Sequence, residues 1–215
     1  MDMMLAETRS WFDIFVLGGG GVGYMIILLS VGMVAMGVQF FIQIRRTTFN
    51  PPEVRQQIQA MFEAKQYREA IEASGKDPSL LGGLVHAAMS EAAKGYGAME
   101  RAMEETSEAR VTKYLRNIEW LNLLGNIAPM MGLLGTVFGM ILAFFQIVEK
   151  GGMPNPADLA DAIGIALVTT LQGLCVAIPS MALYGFMRNR VDSLSAETML
   201  SAEELIAAFR PGAKA

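Results

Sequence analysis

Charge is what this sequence has least of. Only 18% of its 215 residues are Asp, Glu, Lys or Arg, where a soluble domain carries about a quarter. The shortage is local: residues 14–44, 120–148 and 162–187 contain no Asp, Glu, Lys, Arg or His, in runs of 31, 29 and 26 residues. A helix that crosses a bilayer needs roughly 20 apolar residues, so each run is long enough to span. A single cysteine, Cys175, excludes an internal disulfide. A single histidine, His86, cannot by itself build a histidine-based metal site or a Ser-His-Asp triad. A basic stripe is also missing and the net charge is −4, which argues against nucleic acid as a partner. With no catalytic constellation, the chain is not expected to be an enzyme, nor to hold a cofactor or a metal.

What remains is an all-α integral membrane protein with three transmembrane helices, some of them extending into a cytoplasmic helical domain. Basic residues near span ends resist export and so set orientation. Eleven Lys and Arg lie between the first two runs, four follow the third, and only Arg9 and Lys150 are left for the other side. The expected order is a periplasmic segment 1–21, span one at 22–44 and a cytoplasmic domain at 45–119. Span two at 120–148, a periplasmic loop at 149–161, span three at 162–187 and a cytoplasmic helix and tail at 188–215 follow. The first residues are acidic where a signal peptide is basic, so the first run is read as a retained helix.

The inside segment reads as helical. Pro51-Pro52 opens a helix toward Gln66, proline being suited to a first turn. Ser74 to Pro78 reads as a turn, and Leu80, Leu81, Leu84, Val85 and Met89 form an apolar stripe. A further helix starts near Ala98 and meets no breaker before Trp120, so it continues into span two as one rod. The segment 192–209 likewise continues span three.

The spans differ in composition. Span one is aliphatic on nearly every face and is expected at the periphery. In span two Gly125, Ala128, Gly132, Gly135, Thr136, Gly139 and Ala143 share a face, and in span three Ala162, Ala166, Thr169, Thr170, Gly173, Ala177 and Ser180 do the same. Small residues let helix backbones approach closely. Either the two helices pack on one another, or the stripes line a passage or clasp a foreign helix. A threonine hydroxyl can pass a proton or bind a carboxylate, and it can equally bond back to its own helix. Pro129 and Pro179 interrupt the backbone bonding of the two spans and favour kinks. No span contains an Asp, Glu, Lys, Arg or His, although proton paths normally use a carboxylate or His; a titrating group must come from another chain if protons pass. Asp158 and Asp161 at the outer mouth, and Glu119 at the inner one, read as solvated acids at helix ends.

Some patterns mislead. The run Gly18 to Gly23 satisfies a dinucleotide-binding spacing, but a membrane helix follows it and the next acid is Glu53. Gly132 to Thr136 lacks the lysine of a phosphate loop. His86 reads as a surface or packing residue, and the 17 methionines as membrane packing.

The stretch Ala128-Pro-Met-Met-Gly-Leu-Leu-Gly-Thr-Val-Phe-Gly-Met140 closely resembles the second-span motif of the MotA/TolQ/ExbB proton-channel family. Ala166-Leu-Val-Thr-Thr-Leu-Gln-Gly-Leu174, followed by Ala177-Ile-Pro179, resembles its third-span motif. The likeness covers about 70 residues, and three spans with a large segment after the first look like the ExbB/TolQ branch. The resemblance implies a bacterial inner-membrane stator that uses the proton-motive force to send work to the periplasm or outer membrane. It implies a homopentamer around two single-span ExbD/TolR/MotB-like subunits, whose membrane Asp carries the proton. The family's motif threonines fall on Thr136 and Thr170, with Thr169 beside them, and Gly132, Gly135, Gly139, Ala166, Gly173 and Ala177 would line the passage. Many ExbB/TolQ proteins carry a Glu near the start of span three, where this sequence has Ile165. A scaffold without ion flux and a sodium-driven stator are the other readings.

Overall fold

The computed structural model describes residues 18–149 and 156–210, apart from the Asp158 side chain. The expectations for most of the periplasmic segment and loop, for Arg9, Lys150 and Asp158, and for the last five residues lie outside the described residues. The order is α1 (Gly20–Gln43), α2 (Arg46–Phe49), α3 (Pro52–Glu63), α4 (Tyr67–Lys76), α5 (Leu80–Ser90), a 3-10 turn (Ala92–Lys94), α6 (Tyr96–Glu149), α7 (Pro156–Ile206) and a second 3-10 turn (Ala207–Phe209). The three helices α1, α6 and α7 are long and apolar enough to cross a membrane. This is a multi-pass membrane protein with three spans. Neither Pro129 nor Pro179 ends its helix.

The chain divides into two compact units, one of α1 up to Val38 with Trp120–Tyr184, the other of Gln39–Glu119 with the residues from Gly185 onward. In the first, α1 buries a narrow edge and leaves the rest bare: Tyr24, Met25, Leu28, Val31 and Val34 are exposed. Gly19, Gly23, Ile26 and Gly37 are buried at steps of four, three and eleven, which keeps them on one helical stripe. Ile26 packs with Ala128, Val176 and Ala177. Fully burying one such side chain stabilises by about 1.5–3 kcal/mol.

The second unit is built around α5, eight of whose eleven residues are buried. Ser79 caps it, its Oγ accepting from the Gly82 N–H at 3.0 Å, while the Asp77 carboxylate accepts from the Ser79 N–H at 2.7 Å. Such a cap is worth about 1 kcal/mol. Arg110, half-buried on α6, donates to the Ser79 carbonyl at 2.6 Å. Helix α3 starts at a proline and closes with Lys65 in the left-handed region at φ 58°; the Gln66 N–H then reaches the Met61 carbonyl at 2.9 Å, the closure usually given to glycine. Phe49 stacks on Tyr114 with centroids 4.7 Å apart. Arg190 donates to the Ile44 carbonyl at 2.9 Å, and Asn50 to Ser201 Oγ at 2.8 Å.

One expectation needs correcting. Ser74, Gly75 and Lys76 form the last turn of α4 and not a loop; only Asp77 to Ser79 break the chain there. Glycine is tolerated in that turn because His86 lies over it, its Cε1 2.9 Å from where a Cβ at Gly75 would stand. The imidazole is held by Nδ1 against the Ile71 carbonyl at 3.0 Å.

Candidate functional site

The small residues of α6 and α7 meet one another. A Cβ on Gly132 would lie 2.9 Å from the Thr169 carbonyl oxygen and 3.0 Å from the Thr170 Cα. One on Gly173 would lie 2.6 Å from the Ala128 carbonyl oxygen, and one on Gly139 would lie 2.9 Å from the Ala166 Cβ. Gly132, Gly135, Gly139, Ala166, Gly173 and Ala177 are all buried. The glycine and alanine stripe is therefore what lets two membrane helices touch backbone to backbone within one chain. The large apolar side chains turn the other way: Met130, Leu133 and Phe144 on α6, and Leu167 and Ile178 on α7, are each more than 60% exposed.

The three threonines occupy different positions on this hairpin. Thr169 is buried, and its hydroxyl donates to the Ala166 carbonyl at 2.8 Å with the Gly132 carbonyl at 3.3 Å. Thr170, half-buried, donates to the same Gly132 carbonyl at 3.3 Å, tying α7 to α6. Thr136 is half-exposed and bonds back to the Leu133 carbonyl at 2.6 Å. Of the three, Thr136 and Thr170 keep an accessible surface. In all three the hydroxyl hydrogen is committed to a backbone carbonyl, so the oxygen faces an approaching group as an acceptor.

Two further polar side chains cement the unit. Ser180, fully buried, donates to the Leu121 carbonyl at 2.7 Å. Gln172, inside the third-span motif, is fully buried; a Cβ on Gly23 would lie 2.7 Å from its Oε1. The paired glycines at 19 and 23 could have signalled such an approach. Cys175 is exposed on α7. Among the described residues no group of three or more His, Cys, Asp and Glu is placed to hold a metal. Hydroxyl-bearing, flanked by apolar surface and without Asp, Glu, Lys, Arg or His, the stretches 120–148 and 162–187 can offer hydrogen bonds to a charge brought by another chain.

The model of the MotA/TolQ/ExbB proton channel family matches residues 58–199, about two thirds of the sequence and the whole hairpin crossing. The chain belongs to this family. An ExbB homolog of Methanothermobacter thermautotrophicus is 26% identical over 175 residues, 81% of this chain and 62% of its own length. The biopolymer transport protein ExbB of Aquifex aeolicus is 40% identical over 86 residues, 40% of this chain and 57% of its own. That of Pseudomonas putida is 29% identical over 153 residues, 67% of this chain and 46% of its own. The matches thus span less than two thirds of each of these relatives. Family membership and the three spans together make the chain a multi-pass membrane protein of the MotA/TolQ/ExbB proton channel family.

Proposed function

We propose that this chain is the channel-forming subunit of a stator driven by the proton-motive force, working with a single-span ExbD/TolR/MotB-like partner. In this reading five copies surround two partner helices in a bacterial inner membrane, with the N-terminus periplasmic and the large helical segment cytoplasmic. The observation that carries it is the placement of Thr136 and Thr170: partly exposed hydroxyl-bearing side chains on spans that hold no Asp, Glu, Lys, Arg or His. The remaining small residues, Gly132, Gly135, Gly139, Ala166, Gly173 and Ala177, bring α6 and α7 together behind those oxygens, with Thr169 locking the contact.

A carboxylate near the bilayer centre costs about 2.5–3.5 kcal/mol or more, so the partner's acid needs a polar niche. With its hydrogen on the Leu133 carbonyl, the Thr136 oxygen accepts from a protonated acid directly. To meet the ionised acid it must first turn away from that carbonyl. Protonation then changes the hold of the niche on the partner helix, and the helix is free to step. A tenfold proton gradient supplies ~1.4 kcal/mol and the potential ~2.3 kcal/mol per 100 mV.

The test is proton flux in vesicles bearing the native complex, followed with an internal pH dye. Thr136→Val with Thr170→Val should lower flux at least tenfold while native mass shows five copies with two partners. Flux unchanged by the pair would defeat the proposal. The scaffold reading has one observation in its favour, that the small-residue face is consumed by packing inside the chain. It requires no flux in the unaltered complex.

A further inference from the structure

Between Trp120 and Thr136, α6 keeps one face uncovered. Asn122, Asn126, Pro129, Leu133 and Thr136 recur at steps of four and three, which places them on one helical stripe, and none of the five is buried. Asn126 stands six residues after Trp120, which opens the uncharged run, so it lies roughly 9 Å along the axis at about 1.5 Å per residue. Its Nδ2 donates to the Asn122 carbonyl at 2.8 Å and to the Asn122 Oδ1 at 3.1 Å. A carbonyl oxygen accepts only from the nitrogen end of an amide, so the Asn126 Oδ1 is the end turned away. It takes no hydrogen bond among the described residues. One turn on, Pro129 has no N–H, and the Gly125 carbonyl four residues before it lacks its helical donor. Thr136 likewise gives its hydrogen to the Leu133 carbonyl and shows its oxygen. The face is rich in acceptors and holds no Lys, Arg or His to donate.

Such oxygens are costly to leave against lipid. Nor is a second copy of the chain suited to cover them. Its span hydroxyls at Ser30, Thr136, Thr169, Thr170 and Ser180 are spent on carbonyls, and its own copy of this face presents the same acceptors. Water supplies donors without displacing any of these bonds. We propose that this face of α6 is wet: it lines a water-filled leg of the passage between Thr136 and the Trp120 end, and Asn126 is the residue that gives this leg its preference for cations. A wall of acceptors draws water hydrogens toward itself and leaves water oxygens facing the lumen, an arrangement that stabilises hydronium and repels an anion. That this leg carries protons rests on the channel reading; that the face is wet does not.

The experiment is thiol labelling of the native complex in its own membranes, in a Cys175→Ser background so that each introduced cysteine is the only one in this chain. Asn126→Cys is compared with Ile127→Cys, and Leu133→Cys with Leu134→Cys. All four positions are exposed in the chain, and the members of each pair share a depth but lie about 100° apart around the helix. A cationic methanethiosulfonate should react at positions 126 and 133 at least tenfold faster than at 127 and 134. At position 133 it should also outpace the anionic reagent, each rate scaled to its reaction with a free thiol, and adding Asn126→Leu should cut that advantage at least threefold. Rates at 126 or 133 no faster than at their neighbours, or a cation advantage indifferent to Asn126→Leu, overturn the proposal. Should Asn126→Cys fail to assemble, the Leu133 pair decides, since it leaves Asn122 and Asn126 in place. Proton flux measured on the same membranes separates the two claims: fast labelling without flux keeps the wet face and removes the channel. Flux with equal rates does the reverse.

Discussion

Gly135 on α6 lies directly beneath the Thr169 side chain on α7. A Cβ built on Gly135 would stand 2.6 Å from the Thr169 Cβ and 2.8 Å from its Cγ2, well inside van der Waals contact. Gly135→Ala therefore forces the helices apart or displaces a hydroxyl bonded to two carbonyls. Overpacking of this kind costs about 1–3 kcal/mol. Gly173→Ala, which meets backbone atoms that cannot swing aside, should cost at least as much. Gly97, on the same α6 with open space around its Cα, is the control. Its change to Ala should stabilise by about 0.5–1 kcal/mol through backbone entropy. Thermal unfolding of the three variants in one detergent gives the comparison.

Arg110 offers a second test, in the other unit. Its guanidinium lies over Gly83 and donates to the Ser79 carbonyl. Arg110→Met should cost about 1.5–3 kcal/mol, the usual worth of a hydrogen bond to a charged group. Gly83→Ala should reach a similar loss by a different route, since the new methyl occupies the guanidinium's place. The double variant should then cost little more than either alone. Additive losses in denaturant melts would separate the two residues.

The surface ion pairs should matter far less. Arg46 with Glu197 and Arg55 with Glu204 join distant parts of the sequence, yet their side chains are largely in water. Exposed pairs couple by about 0.2–1 kcal/mol. A double-mutant cycle on Arg55 and Glu204 should fall in that range at low salt and shrink as salt rises.

Tyr96 carries the pH prediction. Burial first, and then the charge of Glu100, push its phenol above the usual tyrosine range, while Arg210, 5.4 Å from the ring centroid, pulls the other way. A raised pKa in the fold means a contribution that is complete below the ordinary value near 10 and lost as pH climbs through the folded value. Tyrosinate absorbance should therefore show this ring ionising late. Glu100→Gln should bring the midpoint down, and Arg210→Ala should take it up.

The long helices could be read from the sequence because two signals agreed, uncharged runs of spanning length and no breaker between Ala98 and Trp120. The small-residue faces were equally legible, since steps of three and four put Gly132, Gly135 and Gly139 on one stripe. What periodicity cannot tell is what covers a face. The same stripe suits a pore wall and a helix crossing, and the buried state of Thr169 depends on the register of α7 against α6. The last turn of α4 was misread for a related reason. Gly75 looks like a turn residue until the His86 ring, eleven positions on, is seen to occupy the space a side chain would need.

The exposed sulfur of Cys175 turns this sequence into a ready-made reporter. Every copy brings one thiol and no copy brings two, so an alkylating mass tag adds the same increment once per chain. Partial labelling of an intact assembly then yields a ladder running from no tag to one tag per copy, so the number of increments above the untagged species is the number of subunits, with no substitution made. A spin label at the same atom would turn that tally into distances between neighbours.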